Sequence, residues 1–312
     1  MREIARVLAA AAACLLATGA SAELAAGNHR FALQHDGRSR SYIVHVPPKA
    51  LAPAPLVVSL HGGGGNAESQ QKYSRMDALA DREGFVVAYP DGTGRLQTKL
   101  LTWNAGTCCG SAARENVDDV GFIAALLDDL AARTAIDPKR VYATGHSNGA
   151  MMAYRLAAEL PGRFAAIAPV AGAMVYSGVP QEPVPILHIH SVDDPRALYG
   201  GGLGPPFPFT TSRVLHPPVE ETLARWAKAN HCTGGPDAKE ARTGGGDNAG
   251  ITATLLVWQG CVAPLEHWKL TGSGHTWPGG TPKYLPRLLG RSTDLVDANV
   301  EMWKFFSHLP AR

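Results

Sequence analysis

Gly145-His146-Ser147-Asn148-Gly149 fits the G-x-S-x-G pattern and stands between two stretches of different character. Val141-Tyr142-Ala143-Thr144 before it is β-branched and aromatic, as suits a buried strand. Behind it, Ala150 to Ala158 consists mostly of good helix formers, and Pro161-Gly162 supplies a stop. A serine between strand and helix must turn sharply enough to push its oxygen off the sheet edge, and only small residues fit around such a turn. Gly145 and Gly149 meet that demand. The helix beginning after Ser147 would aim its free N–H groups and positive dipole end at any oxyanion formed there. A glycine-bracketed turn with a capping serine is the plainer alternative, and the flanking strand and helix favour the nucleophile.

Working outward, Leu56 to Leu60 and Phe85 to Pro90 are continuous apolar runs of the kind a parallel sheet buries on both faces. A helix is predicted between them, from Gln70 to Glu83. Ala165 to Gly172 and Val184 to His190 read as two further buried strands. Another helix is predicted from Val117 to Thr134, with Asp118 and Asp119 as capping groups in its first turn. Arg30 to Val46 alternates and reads as an antiparallel edge hairpin. Later come a helix from Val219 to Ala229 and strands at Ile251–Trp258 and Glu266–Leu270. A closing helix over Asp297–His308 has Val300, Trp303, Phe305 and Phe306 on its buried face. Strands alternate with helices, and no internal repeat of roughly 20–50 residues is visible. The expectation is one α/β domain with a mostly parallel, doubly wound sheet and helices on both faces. Asp91 to Asn116 lacks regular signals and reads as a long functional loop. Gly200 to Phe209 reads as a lid or rim, or as a plain linker.

The chain has 312 residues, 45% hydrophobic and 18% charged, with a net charge of +2 and no clustered Lys/Arg run. That balance gives no reason to expect nucleic acid or an anionic membrane as partner. Arg2 and Arg6 precede an apolar stretch, Val7 to Ala17, that leads to Ala20-Ser21-Ala22. This is the order of a cleavable secretory signal, and the stretch is shorter than the ~20 residues of a spanning helix. The expectation is therefore a signal at 1–22, one catalytic domain at 23–312, export to the periplasm or medium, and no stable membrane association. Export makes Cys108, Cys109, Cys232 and Cys261 disulfide candidates with three possible pairings. A Cys232–Cys261 bridge would close the excursion between them, whereas Cys108 and Cys109 could bridge, stay reduced or pair elsewhere. Zinc is disfavoured, since no C-x-x-C pair occurs and the histidines are not at finger spacing. No metal or cofactor is expected.

Two more stretches carry chemistry. Ser191-Val192-Asp193-Asp194-Pro195 places acidic residues at the carboxyl end of a strand, the edge where catalytic groups gather. Gly272-Ser273-Gly274-His275 sets His275 in a glycine-flanked loop just past a strand, the best context among the 12 histidines. Serine is a poor nucleophile at neutral pH, so a histidine must accept its proton while an acid holds the tautomer. Ser147, Asp194 and His275 occur in the chain order of an α/β-hydrolase triad. The oxyanion would be met by the N–H of Asn148 and of a glycine in His61-Gly62-Gly63-Gly64-Gly65-Asn66.

With these motifs, and with Trp103 and Cys108-Cys109-Gly110, Val117-Asp118-Asp119-Val120-Gly121-Phe122 and Gly274-His275-Thr276-Trp277-Pro278-Gly279, the chain resembles a known family. It is similar to the secreted polyhydroxybutyrate depolymerases and feruloyl esterases, allied to carbohydrate esterase family 1, from about Phe31 to the closing helix. The resemblance implies an α/β-hydrolase fold and a cofactor-independent serine esterase. Ser147 is then the nucleophile, His275 the base, Asp194 the acid because it directly precedes Pro195, and Gly63 the oxyanion glycine. The family's acid usually follows His-Gly-Thr-x, whereas this chain reads His190-Ser191-Val192-Asp193-Asp194, which keeps Asp193 as an alternative. Polymer-degrading members usually carry a separate binding domain that this sequence lacks, an expectation against solid polyester. Trp103 and Trp277 are candidates for stacking on an aromatic or sugar group, with core packing as the alternative. The expected substrates are feruloyl or acetyl esters of plant cell-wall carbohydrate. Oligo- or poly-3-hydroxybutyrate is the alternative within the same chemistry, and a non-catalytic binding module or a peptidase lies outside it.

Overall fold

The computed structural model describes residues 23–207 and 211–309. The expected signal at 1–22, and residues 208 and 209 of the expected rim, lie outside them. Twelve strands occur in chain order among the described residues: β1 Gly27–His35, β2 Arg38–Val46, β3 Ala54–Leu60, β4 Val86–Pro90, β5 Ile136–His146, β6 Ala166–Val170, β7 Ile186–Ser191, β8 Gly202–Leu203, β9 Leu215–His216, β10 Pro236–Thr243, β11 Thr252–Trp258 and β12 Leu265–Thr271. The helices are α1 Ala67–Ser74, α2 Asp77–Glu83, α3 Gly110–Arg114, α4 Asp119–Ala131, α5 Asn148–Glu159, α6 Val219–Ala229, α7 Pro286–Leu289 and α8 Ala298–Ser307.

Ten strands form one sheet in the order β1-β2-β4-β3-β5-β6-β7-β12-β11-β10. The six central strands from β4 to β12 run parallel, and antiparallel hairpins close both edges. Strand alternation divides the core into two layers. Leu56, Val58 and Ala143 face α4, α5 and α6. Val57 and Tyr142, one residue out of phase, face α1, α2 and α8. Because both faces are covered, β3, β4, β6 and β7 are buried along their whole length. This is the doubly wound α/β architecture expected from the alternation of elements.

The structure departs from the sequence reading in particular places. The helix expected from Gln70 to Glu83 is two helices, broken where Arg75 takes a left-handed φ of 57° and closes α1 on Gln71 O. Asp118 caps α4 by accepting from Gly121 N, but Asp119 does not cap. It is buried and paired with the buried Arg40 at 2.7 Å, and it accepts from Asn104 N at 2.7 Å. Asp119 thus anchors the long loop to β2. That loop contains α3 and two isolated bridges, Thr93 to Thr102 and Leu96 to Lys99. On α8 the buried apolar face is Ala298, Met302, Phe305 and Phe306. Trp303 instead lies half-buried against Phe85, and Val300 is half-buried too. Strand β10 was not expected, because its Asp, Lys and Glu side chains are exposed at the sheet edge and leave no apolar period.

Cys108 pairs with Cys109, and Cys232 with Cys261. The second pair ties the end of α6 to the β11–β12 turn and encloses the edge hairpin. Replacing Cys232 and Cys261 together by serine should lower unfolding stability by about 3.5 kcal/mol, the loop-closure entropy for a separation of 29 residues. Equilibrium urea unfolding measures this, and an unchanged midpoint would refute a stabilising role for the bridge.

Candidate active site

Ser147 ends β5 and precedes α5 with φ 56° and ψ −115°. For a residue with a side chain this conformation costs on the order of 1–3 kcal/mol. It persists because the surroundings leave no alternative. The Ser147 N–H is held by Val170 O at 2.9 Å, and a Cβ on Gly172 would lie 2.5 Å from Ser147 O. A Cβ on Gly145 would meet the backbone of Gly149 at 2.5 Å, and one on Gly149 would meet Leu60 O at 2.3 Å. The glycines flanking the serine therefore let β3, β5 and the start of α5 close on one another. Ser147 offers no side-chain cap to α5, which leaves its hydroxyl uncommitted to that helix.

Of the two aspartates after β7, Asp194 is the one that meets His275. Asp194 Oδ2 accepts from His275 Nδ1 at 2.7 Å. Its other oxygen, Oδ1, accepts from the backbone N–H groups of Arg196 at 2.7 Å and Ala197 at 2.8 Å. Burial disfavours ionisation of Asp194, but the adjacent His275 and the hydrogen bonds from His190 and His275 outweigh it and hold the carboxyl well below the usual carboxylate range. Asp193 is exposed and accepts from Gly272 N at 2.6 Å, so it ties down the loop that carries His275. The ring of His275 packs on His146, the neighbour of Ser147, with centroids 4.6 Å apart. Base and serine thus share one sheet edge. The hydrogen bonds of the described residues include none from Ser147 Oγ to His275, a contact that in free enzymes often tightens only with substrate bound.

Gly63 stands opposite the start of α5. Its position for a Cβ is 3.8 Å from Asn148 Cβ, and that of Gly62 is 3.5 Å from Ser147 Cβ. The N–H of Asn148 is among the first donors of α5, which have no acceptor within the helix. The N–H of Gly63 has no backbone acceptor among the described residues. Two backbone N–H groups without a backbone acceptor among the described residues thus lie near Ser147. The glycine loop is pinned by His61, whose Nδ1 donates to Gly62 O at 2.8 Å while Nε2 accepts from Gly92 N at 3.0 Å. Burial drives the His61 pKa down to about 4, so the ring stays neutral.

The two tryptophans are placed otherwise than expected for a substrate platform. Trp103 is 0% and Trp277 1% exposed. Trp103 Nε1 donates to His61 O at 2.9 Å, and its backbone N–H and C=O bond the side chain of Asn148 at 2.7 and 3.1 Å. Trp103 therefore clamps the oxyanion loop to α5. Trp277 Nε1 donates to Asn299 Oδ1 at 3.1 Å, and its backbone N–H to Tyr73 Oη at 2.7 Å, locking the histidine loop to α1 and α8. Both rings are spent on packing, because burying so large a surface outweighs leaving it for a ligand. The aromatic side chain over the site is Phe207, whose ring would meet a Cβ on Gly63 at 3.2 Å. In the sequence it belongs to the Gly200–Phe209 stretch, whose phenylalanines are candidates to face substrate if that stretch is a rim rather than a linker. The positioning roles of His61 and His190 were not foreseen: His61 heads the glycine loop without a role of its own, and His190 reads as the last residue of an apolar strand.

A strained serine at a strand–helix turn and a histidine paired with a buried carboxylate stand at the carboxyl edge of the mostly parallel sheet. The chain belongs to the esterase PHB depolymerase family, whose model matches residues 40–200. A protein of Nocardia uniformis subsp. tsuyamanensis named as an esterase, NocK, is 34% identical over 270 residues, covering 81% of this chain and 75% of that one. The bifunctional acetylxylan esterase/xylanase XynS20E of Neocallimastix patriciarum is 29% identical over 78% of this chain. Feruloyl esterase B of Piromyces equi is 32% identical over 59% of it. The matches span only 32% and 34% of those two longer proteins. Among solved structures, the acetyl xylan esterase of Aspergillus awamori shares the fold with a TM-score of 0.56 at 19% identity, over 80% of this chain and 94% of that one. The protein is a carboxylic ester hydrolase of this family.

Two consequences are measurable. Ser147→Gly removes the side chain from a left-handed position, so it should abolish hydrolysis while raising stability by about 1 kcal/mol; a lowered melting temperature would contradict the strain. Burial also holds His146 and His188 well below the ordinary histidine value, and brings His61 to about 4 and His267 to about 3. Their unfolded value is about 6.5. The unfolded chain therefore binds more protons below that pH, so this stability is complete above about pH 6.5 and is lost as the pH falls toward 4. Calorimetry from pH 7.5 to 4.5 should show the melting temperature falling steadily; a flat profile would count against neutral buried imidazoles.

Proposed function

We propose that Ser147 attacks the ester carbonyl, that His275 takes its proton, and that Asp194 orients His275 and stabilises the imidazolium. The observation that carries this reading is the 2.7 Å Asp194–His275 bond at the sheet edge that displays Ser147 in its strained turn. His275 Nδ1 is committed to Asp194, which leaves Nε2 for the serine proton. Attack forms a tetrahedral oxyanion between the N–H groups of Gly63 and Asn148, each worth about 3 kcal/mol in the transition state. His275 then protonates the departing alcohol, and water, activated the same way, releases the acid from the acyl-enzyme.

The substrate class we assign is an acyl ester of cell-wall carbohydrate, supported by the names of the acetylxylan and feruloyl esterase relatives. A groove of about 370 Å³ follows the chain that leaves Gly172, lined by Met174, Val175, Tyr176, Leu215, His216 and Arg225. Tyr176 supplies there the aromatic surface that the buried tryptophans do not. A second reading, esters of 3-hydroxybutyrate oligomers, is favoured by the exposed Leu96, Leu100, Leu203 and Leu215 on the loops around the site. It also draws on 38% identity over 129 residues to the poly(3-hydroxyalkanoate) depolymerase C of Paucimonas lemoignei. We further propose that the protein works outside the cytoplasm, because all four cysteines of the described chain are paired.

The test compares kcat/KM on methyl ferulate, an acetylated xylo-oligosaccharide and a soluble 3-hydroxybutyrate oligomer, with Ser147→Ala as the blank. A preference for either carbohydrate-type ester supports the first reading, a preference for the oligomer the second, and rates equal to the blank would overturn the mechanism. Asp194→Asn should lower kcat by a factor on the order of 10⁴ and Asp193→Asn by no more than a few-fold; the reverse order would exchange their roles. Phe207→Ala should open the space over Gly63 and raise the rate on long-chain p-nitrophenyl esters relative to acetate, and an unaltered chain-length profile would remove Phe207 from the acyl site.

A further inference from the structure

The proposed triad makes no use of His188 and His190, although β7 buries both almost completely. They belong to a continuous hydrogen-bonded chain that ends on the triad acid. Tyr154 Oη lies 2.8 Å from His188 Nδ1, His188 Nε2 lies 3.2 Å from His190 Nδ1, and His190 Nε2 lies 3.1 Å from Asp194 Oδ2 and 2.9 Å from Ala197 O. Tyr154 comes from α5, the helix that begins at the nucleophile, so the chain links both ends of the triad.

The ends of the chain fix its direction. Asp194 Oδ2 and Ala197 O can only accept, so His190 Nε2 carries the proton and its Nδ1 accepts. His188 Nε2 must then donate, which makes His188 Nδ1 an acceptor. Among the described residues the Tyr154 hydroxyl has one hydrogen-bond partner, His188, and as donor it satisfies both groups. The opposite direction would require a buried imidazolium at His190 and leave the Tyr154 proton unpaired in the core, which costs more. Burial also holds His188 well below the ordinary histidine range, in agreement with a neutral ring.

We propose that His190 is a positioning residue for Asp194, held in a single tautomer by His188 and Tyr154. The proposal rests on the triad reading given above. Oδ1 of Asp194 is fixed by two backbone donors and Oδ2 is shared between His190 and His275, so the carboxylate cannot rotate when His275 moves between serine and leaving group. The His190 N–H also draws charge from Oδ2 and thereby limits how strongly His275 holds its proton. Each imidazole of the chain keeps its one proton throughout; only the Ser147 proton moves, to His275 Nε2 and on to the leaving alcohol. The other groups facing this array are His146 against His275, the Tyr199 ring edge-on to His190, and His267 between Tyr199 and His188 O. Beyond Tyr199 lie Glu220 and Lys269; Tyr73 and His216 act on Asp194 more weakly, and Arg196 turns to Pro206 O.

The test is the pH dependence of ester hydrolysis by His190→Leu and His190→Gln, whose amide nitrogen reaches the place of the imidazole Nε2. The leucine variant should lose about tenfold to a hundredfold in kcat with KM within about twofold. Without the donor on Oδ2 the carboxylate favours the imidazolium more, so the acid limb of kcat/KM should move to higher pH by about half a unit. The glutamine variant should return both quantities toward wild type. A loss of kcat with an unmoved acid limb and no recovery in glutamine would reduce His190 to packing, and full activity in the leucine variant would dismiss it. Should neither variant fold, the ¹⁵N-histidine spectrum of the wild-type enzyme decides: His188 and His190 must both be the Nε2–H tautomer, and either ring with a proton on Nδ1 would overturn the proposal. Failure of the triad reading would show separately, as hydrolysis that survives Ser147→Ala.

Discussion

The backbone of Ser147, held at φ 56° with ψ −115°, is the constraint from which the rest of the site follows. Such a conformation survives only when packing on every side denies the chain a relaxed alternative. Here the packing is β3 on one flank, β6 on the other and α5 behind, brought close enough that no Cβ is tolerated at Gly145, Gly149 or Gly172. The same closeness sets Gly63, at the end of β3, against the first residue of α5. Ser147 and the Gly63 and Asn148 N–H groups, to which the proposed mechanism gives the nucleophile and oxyanion roles, are therefore brought together by one packing event between three adjacent strands and a helix.

Electrostatically the site centres on one buried carboxylate, Asp194. Burial suppresses the charge of His61, His146, His188 and His267, and the donors around Asp194 preserve its charge. A buried anion with four hydrogen-bond donors is fixed in both place and orientation. His61, His188 and His267 use their ring nitrogens as structural donors and acceptors, while His146 packs against His275. The histidine richness of the strand ends thus serves positioning more than proton transfer.

Chemistry and recognition occupy different parts of the molecule. The reacting groups sit at the ends of rigid parallel strands, where geometry is set by the sheet. In the proposed function the surfaces for substrate belong to the long loop between β4 and α4, the chain after β6 and the small β8–β9 hairpin. These segments hang from the core by a few strong anchors. Asp119 and Trp103 hold the first, and Arg225 holds the second through Ser177 O at 2.7 Å. Such a division lets one esterase frame accept different acyl and alcohol groups by changes in loops alone, as the differing names of the family relatives suggest.

Much of this was legible in the sequence because it is local. The elbow needs glycines at fixed offsets, the central strands need unbroken apolar runs, and Asp118 needs only Gly121 three residues on to become a cap. The left-handed break at Arg75 left no sequence signal, because the residue adopting it is not glycine. The exposed β10 was equally silent, since a strand defined by its partner's hydrogen bonds need not be apolar. Whether a tryptophan meets substrate or core, and which of two adjacent aspartates turns inward, depends on neighbours tens to hundreds of residues away. Trp103 answers to Asn148 and His61, Trp277 to Tyr73 and Asn299, and Asp194 to His275. The sequence by itself determined the fold class and the residue types of the site, through periodicity and short-range turn geometry. Tertiary structure alone decided which aspartate pairs with His275 and which aromatic rings are buried, because burial and long-range hydrogen bonding exist only once the strands are side by side.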